Sequence, residues 1–180
     1  RWEDARAGRQ SEDALASVEA AIATRPTQAP AETVPAETET APTEPTLDPE
    51  MPTTVINGYA YVGYLEIPAL ELKLPVMSTW DYTRLQIAPC RQFGSSRTDD
   101  LVIAAHNYPT HFGRLKELSE GDTVIFTDME GIVNTYSIRR METLNPDAVD
   151  AVQNSGNDLV LYTCTKGGKT RVTVFCDRAD

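Results

Sequence analysis

Apolar positions fall into three regimes along the 180 residues of the chain. In residues 1–24, Trp2, Ala5, Leu15, Val18 and Ile22 stand among charged and alanine residues, and Leu15, Val18 and Ile22 keep the i, i+3, i+7 spacing of one helix face. Ser11, ahead of Glu12 and Asp13, reads as the N-cap of that helix. A short isolated helix is marginal in water, so the segment is expected to be weak unless it docks on a partner; its functional alternative is a spacer near a membrane. Residues 25–53 then lose the apolar positions almost entirely. Seven of the chain's 12 prolines lie there among Thr, Glu and Ala, too little apolar surface to offset the entropy of ordering. This is a linker.

From residue 54 onward the pattern is that of strands. Residues 59–67 and 70–76 are strand-like, with Pro68 between them and Pro75 near an end, where proline is tolerated. Residues 123–127 and 132–138 flank Asp128-Met129-Glu130-Gly131, a hairpin turn signal. Short helices are expected at 80–85, 114–118 and 146–153, the last opened by Asn145 as cap and Pro146 in the first helical position. Short, evenly spaced strands with small helical insertions predict a mainly β domain, a sandwich or a barrel; periodicity alone does not separate the two.

Length and charge narrow the picture. A chain of this size holds one folded domain, 54–180, behind a helical segment, 1–24, and the linker, 25–53. A formal net charge of −11 argues against nucleic acid and against an anionic membrane as partners, and leaves peptides and proteins open. Six acidic residues (Glu32, Glu37, Glu39, Glu44, Asp48, Glu50) against the single Arg25 keep the linker extended by self-repulsion, as suits a tether crossing a wall layer. No run approaches the roughly 20 apolar residues of a membrane span, and no signal-peptide pattern is present.

Candidate chemistry concentrates in residues 159–178, LVLYTCTKGGKTRVTVFCDR. An apolar strand ends in Cys164, the polar residues 165–170 turn, and a β-branched strand opens with Arg171. Paired antiparallel, the two strands set Cys164 against Arg171 across the hairpin mouth. A thiol with a pKa of about 8.5 is only a few per cent thiolate at neutral pH, so a nucleophile needs a base or cation beside it. His106, closing the apolar run 101–105 ahead of Asn107, Tyr108 and Pro109, is a rigidly delivered imidazole. His111 in the polar loop is the competing base, and Arg178 the competing arginine. Taken alone, Cys164 is a strand-end core cysteine and Arg171 an edge-strand surface residue. Cys176 alternates with Val172 and Val174 and reads as a buried inert thiol; Cys90, between Pro89 and Arg91, reads as a loop cysteine, with a disulfide to Cys176 as the less favoured alternative. Two histidines five apart with scattered cysteines match no usual zinc spacing, and neither metal nor cofactor is called for.

These contexts together resemble the sortases, cysteine transpeptidases of Gram-positive cell surfaces. LVIAAHN at 101–107 is similar to the family's A-[GA]-H-[NR] strand end, LYTC at 161–164 to its L-x-T-C strand, and Arg171 to the arginine opening its next strand. Upstream, GYLEIPALELKLPV at 63–76 resembles the family's first two barrel strands. The resemblance runs from 59 to 178 and implies an eight-stranded barrel with short helices, preceded here by the N-terminal helix and Pro-rich linker. It implies Cys164 as nucleophile, His106 as general acid and base, and Arg171 as the donor to substrate or oxyanion. Thr163 is expected to contact the substrate backbone, with Ala104 and Tyr162 lining the groove. The implied partners are C-terminal sorting-motif peptides of the LPxTG kind as acyl donors and a peptidoglycan cross-bridge amine or pilin lysine as acceptor. The implied location is the outer face of the plasma membrane, held by an anchor lying outside this chain. Asp48-Pro49 superficially resembles the lid pair of pilin-polymerising members, without the aromatic that follows it. The short stretch between Ile138 and Leu159 lacks room for the long class B helix, while the N-terminal helix resembles class B or C; the class stays open among B-like, C-like and D-like. A papain-like hydrolase is disfavoured because there the cysteine precedes the histidine and opens a helix. A non-catalytic wall or adhesin domain would explain the acidic β-rich body and the stalk, but not the histidine, cysteine and arginine together.

Overall fold

Asp128 shows how local chemistry fixes the strand pattern. Its carboxylate accepts from the backbone N–H groups of Glu130 (2.9 Å) and Ile132 (3.0 Å), and Gly131 takes φ of +83°, which turns the chain between two strands. In the computed structural model, which describes residues 2–23, 51–106, 111–145, 149–164 and 171–179, those strands are β6 (Thr123–Asp128) and β7 (Val133–Leu144). The remaining elements are α1 (Trp2–Ala23), β1 (Thr54–Ile56), β2 (Tyr59–Ile67), β3 (Leu72–Met77), α2 (Tyr82–Leu85), β4 (Cys90–Phe93), β5 (Leu101–His106), α3 (Val149–Gln153), β8 (Leu159–Cys164) and β9 (Arg171–Arg178).

The strands run β1-β2-β3-β4-β5-β8-β9-β7-β6, and β6 pairs back onto β2. Eight strands, β2 through β6 in that order, therefore close into a barrel, and β1 adds to β2 over Tyr59–Tyr61 beside the seam. A bulge in β2 between Tyr61 and Gly63 lets one strand serve both neighbours. Gly63 is required there: at φ of +151°, a Cβ would sit 2.0 Å from the Thr127 carbonyl oxygen.

Alternation along the strands sorts side chains to two clusters. Leu65, Ile67, Leu101, Ile103, Phe126, Tyr136, Leu161 and Cys176 fill the barrel. The outward residues Val102, Ala104, Val160, Tyr162 and Phe175 form a second cluster with Met77, Leu85 and Cys90, which takes in Ala14 and Val18 of α1. Strands β5 and β8 are apolar on both faces because both faces are covered, as parallel pairing demands.

Several local expectations change. Ser11 is not a cap: α1 begins at Trp2, and the buried Ser11 hydroxyl donates to the Gly8 carbonyl one turn back. Cys90 lies not in a loop but at the start of β4, paired with Met77 and Ala104. The 80–85 helix shortens to α2 because Asp81 caps it, accepting from the Arg84 N–H at 2.7 Å. The 114–118 helix is a 3₁₀ turn, Leu115–Glu117. The linker between 24 and 50, with Asp48 and Pro49, and the Pro146 start of the last helix lie outside the described residues.

Candidate active site

Three neighbouring strands bring the predicted residues to one end of the barrel. Strands β5 and β8 are parallel, in register from Leu101↔Leu159 through Ala104↔Tyr162 to His106↔Cys164, so the histidine and the cysteine close adjacent strands side by side. Strands β8 and β9 are antiparallel, paired from Leu159↔Cys176 to Tyr162↔Thr173. The same register carried two residues on sets position 164 opposite Arg171, the first residue of β9. The central strand bears the cysteine; an imidazole stands on one flank and a guanidinium on the other.

Burial separates the competitors. His111 has no solvent exposure, whereas His106 is partly exposed at the strand end. The Phe112 N–H donates to the His106 carbonyl at 3.2 Å, and Phe112 itself is fully buried in the core. Arg178 stands at the far end of β9, roughly 23 Å along the strand from Arg171 at about 3.3 Å per residue. It is committed there: Asp99 (2.6 Å), the Ser96 carbonyl (2.5 Å) and the Asn134 side chain (3.0 Å) accept from its guanidinium. The two remaining thiols are both buried, Cys90 in the outer cluster and Cys176 inside the barrel, and neither is in a disulfide. Burial pushes the Cys176 thiol far up, with Asp177 adding to it, so no thiolate forms there at physiological pH.

Ala104 (0 % exposed), Tyr162 (4 %) and Thr163 (4 %) lie beneath the site and not on its open surface. The Thr163 hydroxyl accepts from the Val172 N–H at 3.2 Å, a side-chain rung across the hairpin mouth. The Arg171 guanidinium sits 4.9 Å from the centre of the Tyr162 ring. Sequence reasoning missed that contact, although its signal was there: Tyr162 pairs with Thr173, which makes Arg171 its diagonal neighbour on the same face. Among the described residues no cluster of three or more His, Cys, Asp or Glu is arranged to hold a metal. Residues 107–110 and 165–170, which border the site, lie outside the described residues.

A cysteine position in register with a partly exposed histidine on one neighbouring strand and an arginine on the other suits acyl transfer. The sortase domain model matches residues 65–179, most of the chain and all of this site. The chain belongs to the sortase family. Among solved structures, this sortase is similar to sortase C1 of Streptococcus suis at 27 % identity, covering 67 % of this chain and 73 % of that one, with a TM-score of 0.58. The sortase C of Clostridium perfringens, solved with the C-terminal cell wall sorting motif, is 23 % identical over 67 % of this chain and 71 % of that one (TM-score 0.57). Sortase A of Corynebacterium diphtheriae is 19 % identical over 68 % and 62 % (TM-score 0.60). A comparison with curated proteins finds no match. The closed barrel is thus the sortase fold, and no described helix is long and apolar enough to cross a membrane.

Proposed function

We propose that this sortase cleaves a C-terminal sorting motif of the LPxTG kind in surface proteins and transfers the acyl fragment to an amine of peptidoglycan or of a pilin subunit. The observation that carries the reading is the parallel register His106↔Cys164, with Arg171 opening the strand on the other side. The Cys164 thiolate adds to the carbonyl carbon of the motif's threonine. Arg171 donates to the oxygen on which negative charge develops, an interaction typically worth about 3 kcal/mol. Collapse breaks the C–N bond, His106 gives its proton to the leaving amine, and a thioester to Cys164 remains. The acceptor amine attacks that thioester, His106 takes its proton, and Cys164 leaves as thiolate. Atoms and charge balance without a cofactor: one amide bond is broken, one is formed, and the proton on His106 is restored.

Ala104, Tyr162 and Thr163, buried beneath the site, would support the donor groove from below without touching the peptide. The Clostridium perfringens relative solved with its sorting motif supports a peptide of this class as donor. The family's place at the Gram-positive cell surface supports action on the outer side of the membrane. The test is mass spectrometry of the protein incubated with a panel of sorting-motif peptides, wild type against Cys164→Ala. An acyl-sized mass gain on wild type alone is expected and identifies the motif. No gain with any peptide, in a protein whose Cys164 is also inert to alkylation, would leave the non-catalytic wall-domain reading in its place.

A further inference from the structure

An arginine side chain is long and loses about 2 kcal/mol of rotamer freedom when fixed, so an arginine asked to meet a developing oxyanion needs something to hold it. The usual holder is a carboxylate, but a bidentate carboxylate takes two of the guanidinium's five N–H donors and with them one of its edges. Among the described residues Arg171 makes no ion pair; its guanidinium lies instead over the face of Tyr162, 4.9 Å from the ring centre. A ring face attracts the cation through its quadrupole and leaves the in-plane N–H groups available. The ring is itself immobile: Tyr162 is 4 % exposed and belongs to the outer cluster with Ala104, Val160 and Phe175. The next residue, Thr163, holds the Val172 N–H. Two successive residues of β8, immediately before Cys164, therefore fix both the backbone beside Arg171 and its side chain.

We propose that Tyr162 is a positioning residue whose ring holds the Arg171 guanidinium beside Cys164 for the acylation step. The inference rests on the transpeptidase reading, and the experiment separates the two. Acylation by a sorting-motif peptide is followed under steady-state conditions in wild type, Tyr162→Leu, Tyr162→Phe, Arg171→Ala and the double variant Tyr162→Leu/Arg171→Ala. Tyr162→Leu is expected to lower kcat about tenfold, the scale of a partly desolvated cation–π contact, with KM held within about twofold. Tyr162→Phe, which keeps the ring, restores the rate to within about threefold of wild type. In the Arg171→Ala background Tyr162→Leu adds nothing further. A wild-type rate in Tyr162→Leu, or the same tenfold loss on top of Arg171→Ala, overturns the inference and leaves the transpeptidase reading standing; an inactive wild type removes both. Should Tyr162→Leu fail to fold, the wild-type NMR spectrum decides: the Arg171 side-chain N–H resonance moved upfield by the ring supports the contact, and one at its random-coil position overturns it.

Discussion

Three cysteines share the chain, and solvent access alone should tell them apart. Cys90 and Cys176 have no exposed surface, and burial holds the Cys176 thiol protonated. One equivalent of alkylating reagent is therefore expected on the native protein, mapped to Cys164, and three after denaturation; native labelling of Cys90 or Cys176 would contradict the packing. The histidines divide in the same way. His106→Ala is expected to reduce acylation by about 10²-fold or more, the range of a general acid–base catalyst. His111→Ala, emptying a buried position, should lower stability by about 1–3 kcal/mol while the folded fraction keeps its acylation rate. The reverse pattern would move the acid–base role to His111. At this scale the positions of His106 and Cys164 at strand ends and of Arg171 at a strand start were legible, because each closes or opens an apolar run. Cys90 was misread for the opposite reason. Pro89 interrupts the apolar pattern, and the four-residue β4 forms through partners distant in sequence, among them Met77 and Ala104 for Cys90.

Helix α1 shows what element-scale periodicity can and cannot deliver. Leu15, Val18 and Ile22 mark one face, yet the buried stripe runs Gly8, Ser11, Ala14, Val18, so small residues rather than the largest apolar ones face the barrel and let the helix approach it. Polar Ser11 reads as a boundary in sequence; in the fold its hydroxyl is satisfied within the helix, so no cap is needed. Docking adds an ion pair from Lys73 on β3 to Glu19, with Glu66 behind it at 3.6 Å. The hydrogen bond to Glu19 raises the Lys73 pKa above its ordinary 10.5, against a smaller desolvation effect. That contribution is thus fully present at neutral pH and is lost only as pH rises through the raised value. Both partners are more than a third exposed, so Lys73→Ala should weaken docking by less than about 1 kcal/mol, and less again at high salt. Val18→Asp places a charge in an apolar contact and should cost about 3 kcal/mol or more. Limited proteolysis is expected to cut within α1 in Val18→Asp and to spare it in Lys73→Ala, while the barrel stays resistant in both.

At the scale of the molecule, chemistry and reinforcement occupy opposite ends of the barrel. The ends of β5 and β8 and the start of β9 carry the site; the starts of β5 and β8 and the end of β9 meet a polar network. There Asp128, fully buried, accepts from Arg97 at 2.9 Å, and Glu130 accepts from the same guanidinium at 2.5 Å. Arg178 ties Asp99, Ser96 and Asn134 together beside them. The network was not legible in the sequence, since Arg97, Asp128 and Arg178 are distant along the chain, Asp128 reads there as a turn residue and Arg178 as the competing arginine. The barrel itself was anticipated only through family resemblance: alternation announces strands, but closure depends on the β2–β6 seam and on Gly63, where a backbone crossing and not a hydrophobic pattern sets the requirement. The division into two ends has a measurable consequence. Asp128→Ala removes one carboxylate from the Arg97 side chain, which is 7 % exposed, while Glu130 stays in place, and it also strips the β6–β7 turn of two hydrogen-bond acceptances. Breaking a buried pair costs about 3–5 kcal/mol, and the surviving Glu130 argues for the lower figure. The urea midpoint should fall accordingly with its slope unchanged, and acylation per folded molecule should match wild type, because the network lies at the opposite end of β5, β8 and β9 from Cys164. A loss of acylation rate in the fully folded variant would mean that the two ends are coupled through the strands, and that β5, β8 and β9 transmit strain along their length instead of holding the site rigidly.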